Sequence, residues 1–218
     1  MLINHEFISG ALSGLVQNIV GHPFDTAKTL IQNKMRLYTN PFYYYRGFIY
    51  PTSFSILLNG SVFYLDTYLY PKLYHSHYLS GFVTGAIISP FIFLFDIGKI
   101  KNQINSNLTI HDIYQTKGIY STLWRESIAV SIFLGSYYQL KTEYKLNPLL
   151  SGGITGLLNW TITYPLDTIK TRQMSLGINM IDAFRMGKLW KGYFICAIRS
   201  ILVNSAGFQV YEYSKKLE

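Results

Sequence analysis

Long apolar stretches alternate with short polar segments along this chain, and six of the stretches exceed the roughly 20 residues that a helix needs to cross a bilayer. Glycine, serine and isolated charges interrupt each stretch, which suits helices that line a polar path better than helices that face only lipid. The pattern predicts an all-α membrane protein with six transmembrane helices. The predicted spans are 5–33, 47–71, 76–104, 125–145, 147–174 and 192–216.

A motif of small residues recurs at a constant interval. Gly10, Gly81 and Gly152 each follow a serine, lie 71 residues apart and precede a second glycine by four residues. A fixed period of this kind indicates an internal repeat, and glycines four apart permit close helix packing in a bilayer. The sequence predicts one domain, residues 1–218, built of three two-helix repeats: 1–74, 75–146 and 147–218.

Each repeat carries a hexad with an acid and a base three residues apart, which places both on one helix face. The hexads are Pro23–Lys28, Leu94–Lys99 and Pro165–Lys170. A charge at mid-bilayer costs about 2.5–3.5 kcal/mol, so the six charges need partners. Either each hexad holds its own ion pair, or a ring of pairs between the three helices closes one end as a gate. Proline can kink a helix toward a common axis, which favours the ring.

The composition supports a membrane protein. Hydrophobic residues make up 49% of the chain and charged residues 14%, against about 25% charged in a typical soluble domain. The net charge of +8 comes from scattered basic residues, which argues against nucleic-acid binding and favours a positive cavity for anionic solutes or attraction to anionic lipid. The single Cys196 excludes an intrachain disulfide and a multi-cysteine metal site. Since the N-terminus lacks the features of a cleaved leader, targeting is expected to be internal.

An aromatic–basic pair follows each hexad at the start of the next apolar stretch. The three copies are Tyr45-Arg46-Gly47, Trp124-Arg125-Glu126 and Trp190-Lys191-Gly192. Aromatic and basic side chains favour the membrane interface. Each repeat is therefore expected to run from a helix through a connection and an interfacial anchor into a second helix.

Together these features resemble the mitochondrial carrier family, whose motif is proline, any residue, an acid, two residues and a base, repeated three times and followed by aromatic–basic–glycine. The match covers nearly the whole chain, with Leu94 in place of one proline. The resemblance implies a pseudo-threefold carrier barrel of six helices in the mitochondrial inner membrane. It also implies a matrix gate with the pairs Asp25–Lys99, Asp96–Lys170 and Asp167–Lys28, braced by Gln32 and Gln103.

The family also has a cytoplasmic gate, with an aromatic residue, an acid and, three residues later, a base on each even-numbered span. Glu212 and Lys215 match it in the sixth span, Asp66 keeps only the acid in the second, and the fourth span shows no clear copy. Only the second repeat leaves comfortable room for the family's short matrix helix. The resemblance also implies cardiolipin as a structural lipid at the aromatic–basic motifs, with Glu126 disturbing one such site.

In this family, substrates contact the middle of the even-numbered spans. The resemblance places Arg199, Tyr137, Tyr138 and Asn59 in that zone as substrate-binding residues. Guanidinium suits bidentate contact with phosphate or carboxylate and tyrosine can stack on a base, although Arg199 could instead pair with a nearby carboxylate. Together with the net charge, these residues predict a carrier of an anionic metabolite, nucleotides or deoxynucleotides, that works by alternating access as a monomer.

Two further interpretations accompany this prediction. The Tyr-, Ile- and Asn-rich composition is typical of an AT-rich genome, and with the short length it indicates a divergent carrier, such as one encoded by a giant DNA virus and acting on host mitochondria. Neither a phosphate-binding loop nor an HExxH motif occurs, so no enzyme activity, metal or other cofactor is expected. The incomplete cytoplasmic gate leaves one alternative, a carrier-like scaffold or partner-binding protein that transports nothing.

Overall fold

The computed structural model describes residues 2–32, 40–45, 48–103 and 117–216, and within these ranges the regular structure is entirely helical. In these described ranges, six helices contain 21 to 31 residues each, a seventh contains six, and two connections carry a 3₁₀ turn. The helices are α1 Leu2–Gln32, α2 Ile49–Leu69, α3 His77–Gln103, α4 Ile119–Thr142, α5 Pro148–Leu176, α6 Met180–Arg185 and α7 Tyr193–Lys216.

The six long helices form a closed ring. Each contacts the next along the chain, and α7 returns to contact α1. The two helices of each repeat are antiparallel: in the first repeat Gly10 lies against Asn59 and Gly14 against Ser55, and the glycines of the other repeats show the same order. The α2–α3 and α4–α5 connections are short, so these neighbours are antiparallel as well. One end of the ring therefore holds the connections that follow the three hexads, and we call it the hexad end. The opposite end holds the chain termini and the α2–α3 and α4–α5 connections, and we call it the distal end.

The repeated glycines lie where the two helices of each repeat touch. A Cβ atom added at Gly10, Gly81 or Gly152 would lie 2.5–2.7 Å from a backbone carbonyl oxygen of the partner helix. At Gly14 and Gly85 the corresponding distances are 2.6 and 2.4 Å. Such distances leave no space for a methyl group, so the close helix approach expected from the glycine spacing is observed in all three repeats.

The hexad prolines lie inside continuous helices, Pro23 in α1 and Pro165 in α5. Proline has no N–H group to donate to the carbonyl four residues earlier. For Pro23 that carbonyl belongs to Ile19, and the hydroxyl of Tyr45 donates to it at 3.0 Å. The connection that follows α1 therefore satisfies a backbone group that the proline leaves without its helical partner.

A threonine in two of the hexads ties the hexad end to the connection that follows. The Thr26 hydroxyl donates to the carbonyl of Tyr44, and the Thr168 hydroxyl donates to the carbonyl of Leu189, each at 2.8 Å. Ile97 stands at the same position in the second hexad, where the side chain cannot donate. The first and third repeats therefore share a tie that the second cannot make.

Aromatic side chains fill the ring toward the distal end. Leu134, Tyr137, Phe208 and Tyr211 are fully buried, and Phe63 is 1% exposed. Tyr137 stacks on Phe208 with ring centroids 3.6 Å apart, and Phe63 stacks on Tyr211 at 3.9 Å. These residues come from the later parts of α2, α4 and α7, which converge at the distal end. The stacked aromatic side chains therefore fill the space between these three helices at that end.

The helix bounds correct two expectations. The predicted fourth span begins at residue 125, whereas α4 begins at Ile119, so Trp124 and Arg125 lie within the helix. A short helix, Met180–Arg185, occupies the third connection, where the sequence left no comfortable room. The matching part of the second connection, residues 104–116, lies outside the described residues.

Among the described helices, two are long and apolar enough to qualify as candidate membrane spans by composition, His77–Ile97 and Tyr193–Lys216. The other four long helices do not qualify over their described residues, although α2 carries a single charged residue, Asp66.

Candidate functional site

Five charged side chains from α3, α4 and α5 form one connected group near the hexad end, which we call the charge cluster. Its members are Asp96, Arg125, Glu126, Asp167 and Lys170. Lys170 Nζ lies 2.7 Å from Asp96 Oδ2 and 3.2 Å from Glu126 Oε1. Arg125 Nη1 lies 2.6 Å from the same Glu126 oxygen, and Arg125 Nε lies 3.4 Å from Asp167 Oδ1. Glu126 therefore joins the two bases, and an aspartate lies at each end.

Burial differs along the charge cluster. The side chains of Glu126 and Lys170 are 5% and 7% exposed, and that of Arg125 is 17% exposed. Asp96 and Asp167 are 29% and 30% exposed. Since buried charges are stabilised only when they are paired, Glu126 is fixed between its two bases, whereas the aspartates remain open to solvent or to a bound solute.

The charge cluster forms part of the wall of a cavity of about 410 Å³. A volume of this size suits a small solute. The remaining wall is mainly apolar, so the cavity combines an apolar surface with charges of both signs. The lining residues are Phe54, Leu58, Ile92, Asp96, Arg125, Glu126, Asp167, Lys170, Thr171 and Met174.

A hydrogen bond between α4 and α5 supports the cluster. The hydroxyl of Ser121 donates to Gln173 Oε1, and both side chains are buried. The family resemblance implies a glutamine brace four residues after each hexad base, where the third repeat has Met174. Gln173 lies one residue earlier, so a search at fixed spacing misses it.

The matrix-gate residues can be compared with the structure only in part. Asp96 and Lys170 are in contact, as the ring arrangement requires. Asp167 contacts Arg125, and Lys170 contacts the neighbouring helices, so these two do not form the alternative pair within their own hexad. The other predicted gate and brace residues have side chains outside the described part of the chain: Asp25, Lys28, Gln32, Lys99 and Gln103.

The assignment of Trp124-Arg125-Glu126 as an interfacial anchor is wrong for its two charged residues, because both belong to the buried charge cluster. The better counterpart of the anchor glycine is Gly118, which precedes α4 with φ of 128°, as Gly192 precedes α7 with φ of 90°. Gly118 follows Asp96 by 22 residues, the same interval that separates Asp25 from Gly47. That interval was the sequence signal for the correct alignment.

The predicted substrate-binding residues lie apart from the residues that line this cavity. The hydroxyl of Tyr137 donates to Glu212 at 2.9 Å, and Tyr138 stacks on His77 with centroids 3.7 Å apart. Asn59 donates to the carbonyl of Ser55 on its own helix at 3.0 Å. The guanidinium of Arg199 lies against Gly21 of α1, where an added Cβ would be 3.0 Å from Nη2. A substrate role for these four residues remains a prediction.

The predicted cytoplasmic-gate residues all lie at the distal end, and each forms an ion pair. We call these three pairs the distal ion pairs. The sequence pattern gave no copy on the fourth span, yet α4 supplies a base, Lys141. It escapes the pattern because Tyr138 occupies the position of the acid, three residues before it. The pairs are Lys215 Nζ–Glu6 Oε1 at 2.6 Å, Lys141 Nζ–Glu212 Oε1 at 2.5 Å and His77 Nδ1–Asp66 Oδ2 at 2.9 Å.

Comparison with known proteins gives consistent matches. The family model described as mitochondrial carrier protein matches residues 3–61 and 141–217. The chain is 24% identical to solute carrier family 25 member 45 of Mus musculus, over 97% of this chain and 98% of that protein. It is 24% identical to the mitochondrial arginine transporter BAC2 of Arabidopsis thaliana (95% and 89%) and 25% identical to the mitochondrial basic amino acids transporter of Homo sapiens (83% and 75%).

Proposed function

This chain belongs to the mitochondrial carrier family, and from that premise we propose that it moves a basic amino acid, or a related organic cation, across the membrane. As a family member it is a multi-pass solute carrier of the mitochondrial inner membrane and is not an enzyme. The nucleotide substrate expected from the sequence finds no support in the relatives, two of which are named for arginine or basic amino acids.

The charge balance of the cavity is the observation that carries the proposal. Its described wall holds three carboxylates, on Asp96, Glu126 and Asp167, against two bases, on Arg125 and Lys170. A basic amino acid carries one carboxylate and two cationic groups, so it complements a wall with one carboxylate in excess. A nucleotide carries several negative charges, and these carboxylates would repel it strongly in a medium of low dielectric constant.

The ion pairs of the cluster suggest how such a substrate binds. The guanidinium of Arg125 is suited to bidentate contact with the substrate carboxylate. Its contact with Asp167 is long, at 3.4 Å, so this contact is readily exchanged. The more exposed carboxylates of Asp96 and Asp167 are suited to the cationic groups of the substrate. Binding then exchanges contacts within the cluster for contacts with the substrate, which loosens the ties between α3, α4 and α5.

That exchange links substrate binding to alternating access. We place the hexad end on the matrix side and treat the six long helices as a threefold carrier barrel. In this arrangement Asp25–Lys99 and Asp167–Lys28 complete the matrix gate with Asp96–Lys170, and Gln32 and Gln103 brace it. Substrate in the cavity weakens the Asp96–Lys170 tie and opens the matrix side. Cardiolipin is proposed to bind at the exposed aromatic side chains of the hexad end, Tyr45 and Trp190.

The experiment that tests this function is transport by the purified full-length protein in liposomes. We expect saturable uptake of radiolabelled arginine, lysine or ornithine, competed by the other two and not by ADP, dATP or phosphate. The matched control is Arg185→Ala, which removes an exposed base of α6 at the same end and should leave uptake unchanged. Uptake of nucleotides without uptake of basic amino acids would replace the proposal with the anionic substrate, and no uptake of any solute would favour the scaffold.

A further inference from the structure

Two of the distal ion pairs use a residue from outside the repeated motif. Lys215 on α7 pairs with Glu6 on α1, and Asp66 on α2 pairs with His77 at the start of α3. Neither Glu6 nor His77 belongs to the repeated aromatic–acid–base pattern of the even-numbered spans. Both partners come from odd-numbered spans.

The sequence explains why outside partners are needed. The second span has Leu69 where the pattern has a base, and the fourth has Tyr138 where the pattern has an acid. The base that α4 does supply, Lys141, pairs with Glu212, so Asp66 and Lys215 take partners from outside the pattern. The carboxylate of Asp66 is 1% exposed, and a charge buried that deeply is costly unless it is paired.

We propose that Glu6 and His77 are gate residues that replace the missing base of α2 and the missing acid of α4, and that they hold the cytoplasmic side of this carrier shut. The proposal rests on the carrier function, because a gate has meaning only in a transporter. It does not depend on which solute is carried, since neither residue lines the charge cavity.

A continuous series of contacts joins the pairs Lys215–Glu6 and Asp66–His77, which we call the replacement pairs, across the ring. The hydroxyl of Tyr211 donates to Glu6 at 2.5 Å, and the hydroxyls of Tyr211 and Tyr138 lie 3.1 Å apart. The ring of Tyr138 stacks on His77. These contacts run from α1 through α7 and α4 to α3 and form one layer of side chains across the distal end. Breaking either replacement pair is therefore expected to loosen this layer.

Below this layer lie the packed aromatic rings and then the charge cavity. Phe63 stacks on Tyr211, and Leu58, five residues earlier on α2, lines the charge cavity. A reagent that enters from the cytoplasmic side must therefore pass the replacement pairs before it reaches Leu58. Reagent access to position 58 measures whether the gate is closed.

The surroundings of His77 identify what its imidazole contributes. The groups that face it are Asp66 on α2, Tyr70 in the turn after α2 and Tyr138 on α4, while His75 contacts Tyr70. Asp66 is the acid among these groups, so replacing the imidazole removes the partner of that carboxylate.

The test uses the full-length chain with Cys196→Ser and Leu58→Cys, in mitochondria stripped of the outer membrane. A membrane-impermeant maleimide is added from the cytoplasmic side and the labelling rate is measured. We expect Glu6→Gln and His77→Phe each to raise the rate about tenfold, which is the effect of losing one charged hydrogen bond. His77→Phe keeps an aromatic ring against Tyr138 and removes only the contact with Asp66.

The matched control is Glu143→Gln, an exposed acid at the distal end, which should leave the labelling rate unchanged. Glu6→Lys should raise the rate, and adding Lys215→Glu should lower it again by restoring the pair with reversed charges. This rescue requires a folded protein, so it separates a broken gate from a misfolded one. Unchanged labelling in Glu6→Gln and His77→Phe, or no rescue by the double substitution, would overturn the proposal.

Labelling of position 58 needs no substrate, so its outcomes are independent of whether basic amino acids are transported.

Discussion

Arg125→Ala is expected to lower the initial rate of basic amino acid uptake roughly 10- to 100-fold, since the substrate carboxylate loses a hydrogen bond to a charged group, which contributes about 1.5–3 kcal/mol. Arg125 contacts Glu126 at 2.6 Å and Asp167 at 3.4 Å, so its loss leaves two carboxylates without this base. It also removes the group proposed to bind the substrate carboxylate. The measurement is uptake of radiolabelled arginine into liposomes, normalised to the amount of inserted protein.

Arg125→Lys is the informative companion of this variant. Lysine keeps the charge but lacks the planar fork that binds a carboxylate at two points, so an intermediate loss of uptake is expected. Double substitution of Arg125→Ala with Glu126→Gln removes one of the two carboxylates that lost this base, so it should recover part of the thermal stability without recovering uptake. Full uptake in Arg125→Ala would mean that the charge cluster is not the substrate site.

Gly152→Ala is expected to lower the unfolding temperature of the purified protein by roughly 3–10 °C, because overpacking costs about 1–3 kcal/mol. The added Cβ would lie 2.5 Å from the carbonyl oxygen of Asn204 on α7. That neighbour is backbone, so relief requires α5 and α7 to separate. Thermal unfolding in detergent measures the effect.

The adjacent glycine provides the control. At Gly153 the nearest neighbour of an added Cβ is the hydroxyl of Ser205, at 2.7 Å. A side chain of this kind can rotate away, so Gly153→Ala should lower the unfolding temperature much less than Gly152→Ala. Equal shifts in the two variants would contradict the assignment of the motif glycine to a backbone contact between helices.

The repeated features of the fold could be predicted from the sequence because the same motif occurs in each of the three repeats. The glycines four residues apart that begin at Gly10, Gly81 and Gly152 predicted the close approach of paired helices, and the structure has it at all three sites. The resemblance to the carrier family likewise implied the contact between Asp96 and Lys170, which the structure has. A pattern that recurs three times outweighs the ambiguity of any one copy.

The features of a single repeat could not be predicted in this way. Arg125 and Glu126 resembled a membrane anchor because an aromatic residue precedes them, and only the earlier start of α4 places them in the cavity. Because these two residues were assigned to an anchor, the sequence prediction of the substrate's charge did not take them into account. Glu6 and His77 follow no repeat at all, and their partners become evident only when the helices are packed together.

The central claim is that excess carboxylates in the cavity select a cationic substrate, and a comparison of arginine with citrulline tests it most directly. Citrulline is a neutral analogue of arginine of nearly the same size, so the two differ mainly in the charge that the carboxylates would recognise. The measurement is the ratio of their initial uptake rates in liposomes, for the parent and for Glu126→Gln. We predict a ratio of at least about 10 for the parent, since a hydrogen bond to a charged group contributes about 1.5–3 kcal/mol, and a clearly lower ratio for Glu126→Gln. Equal uptake of arginine and citrulline by the parent would contradict the claim.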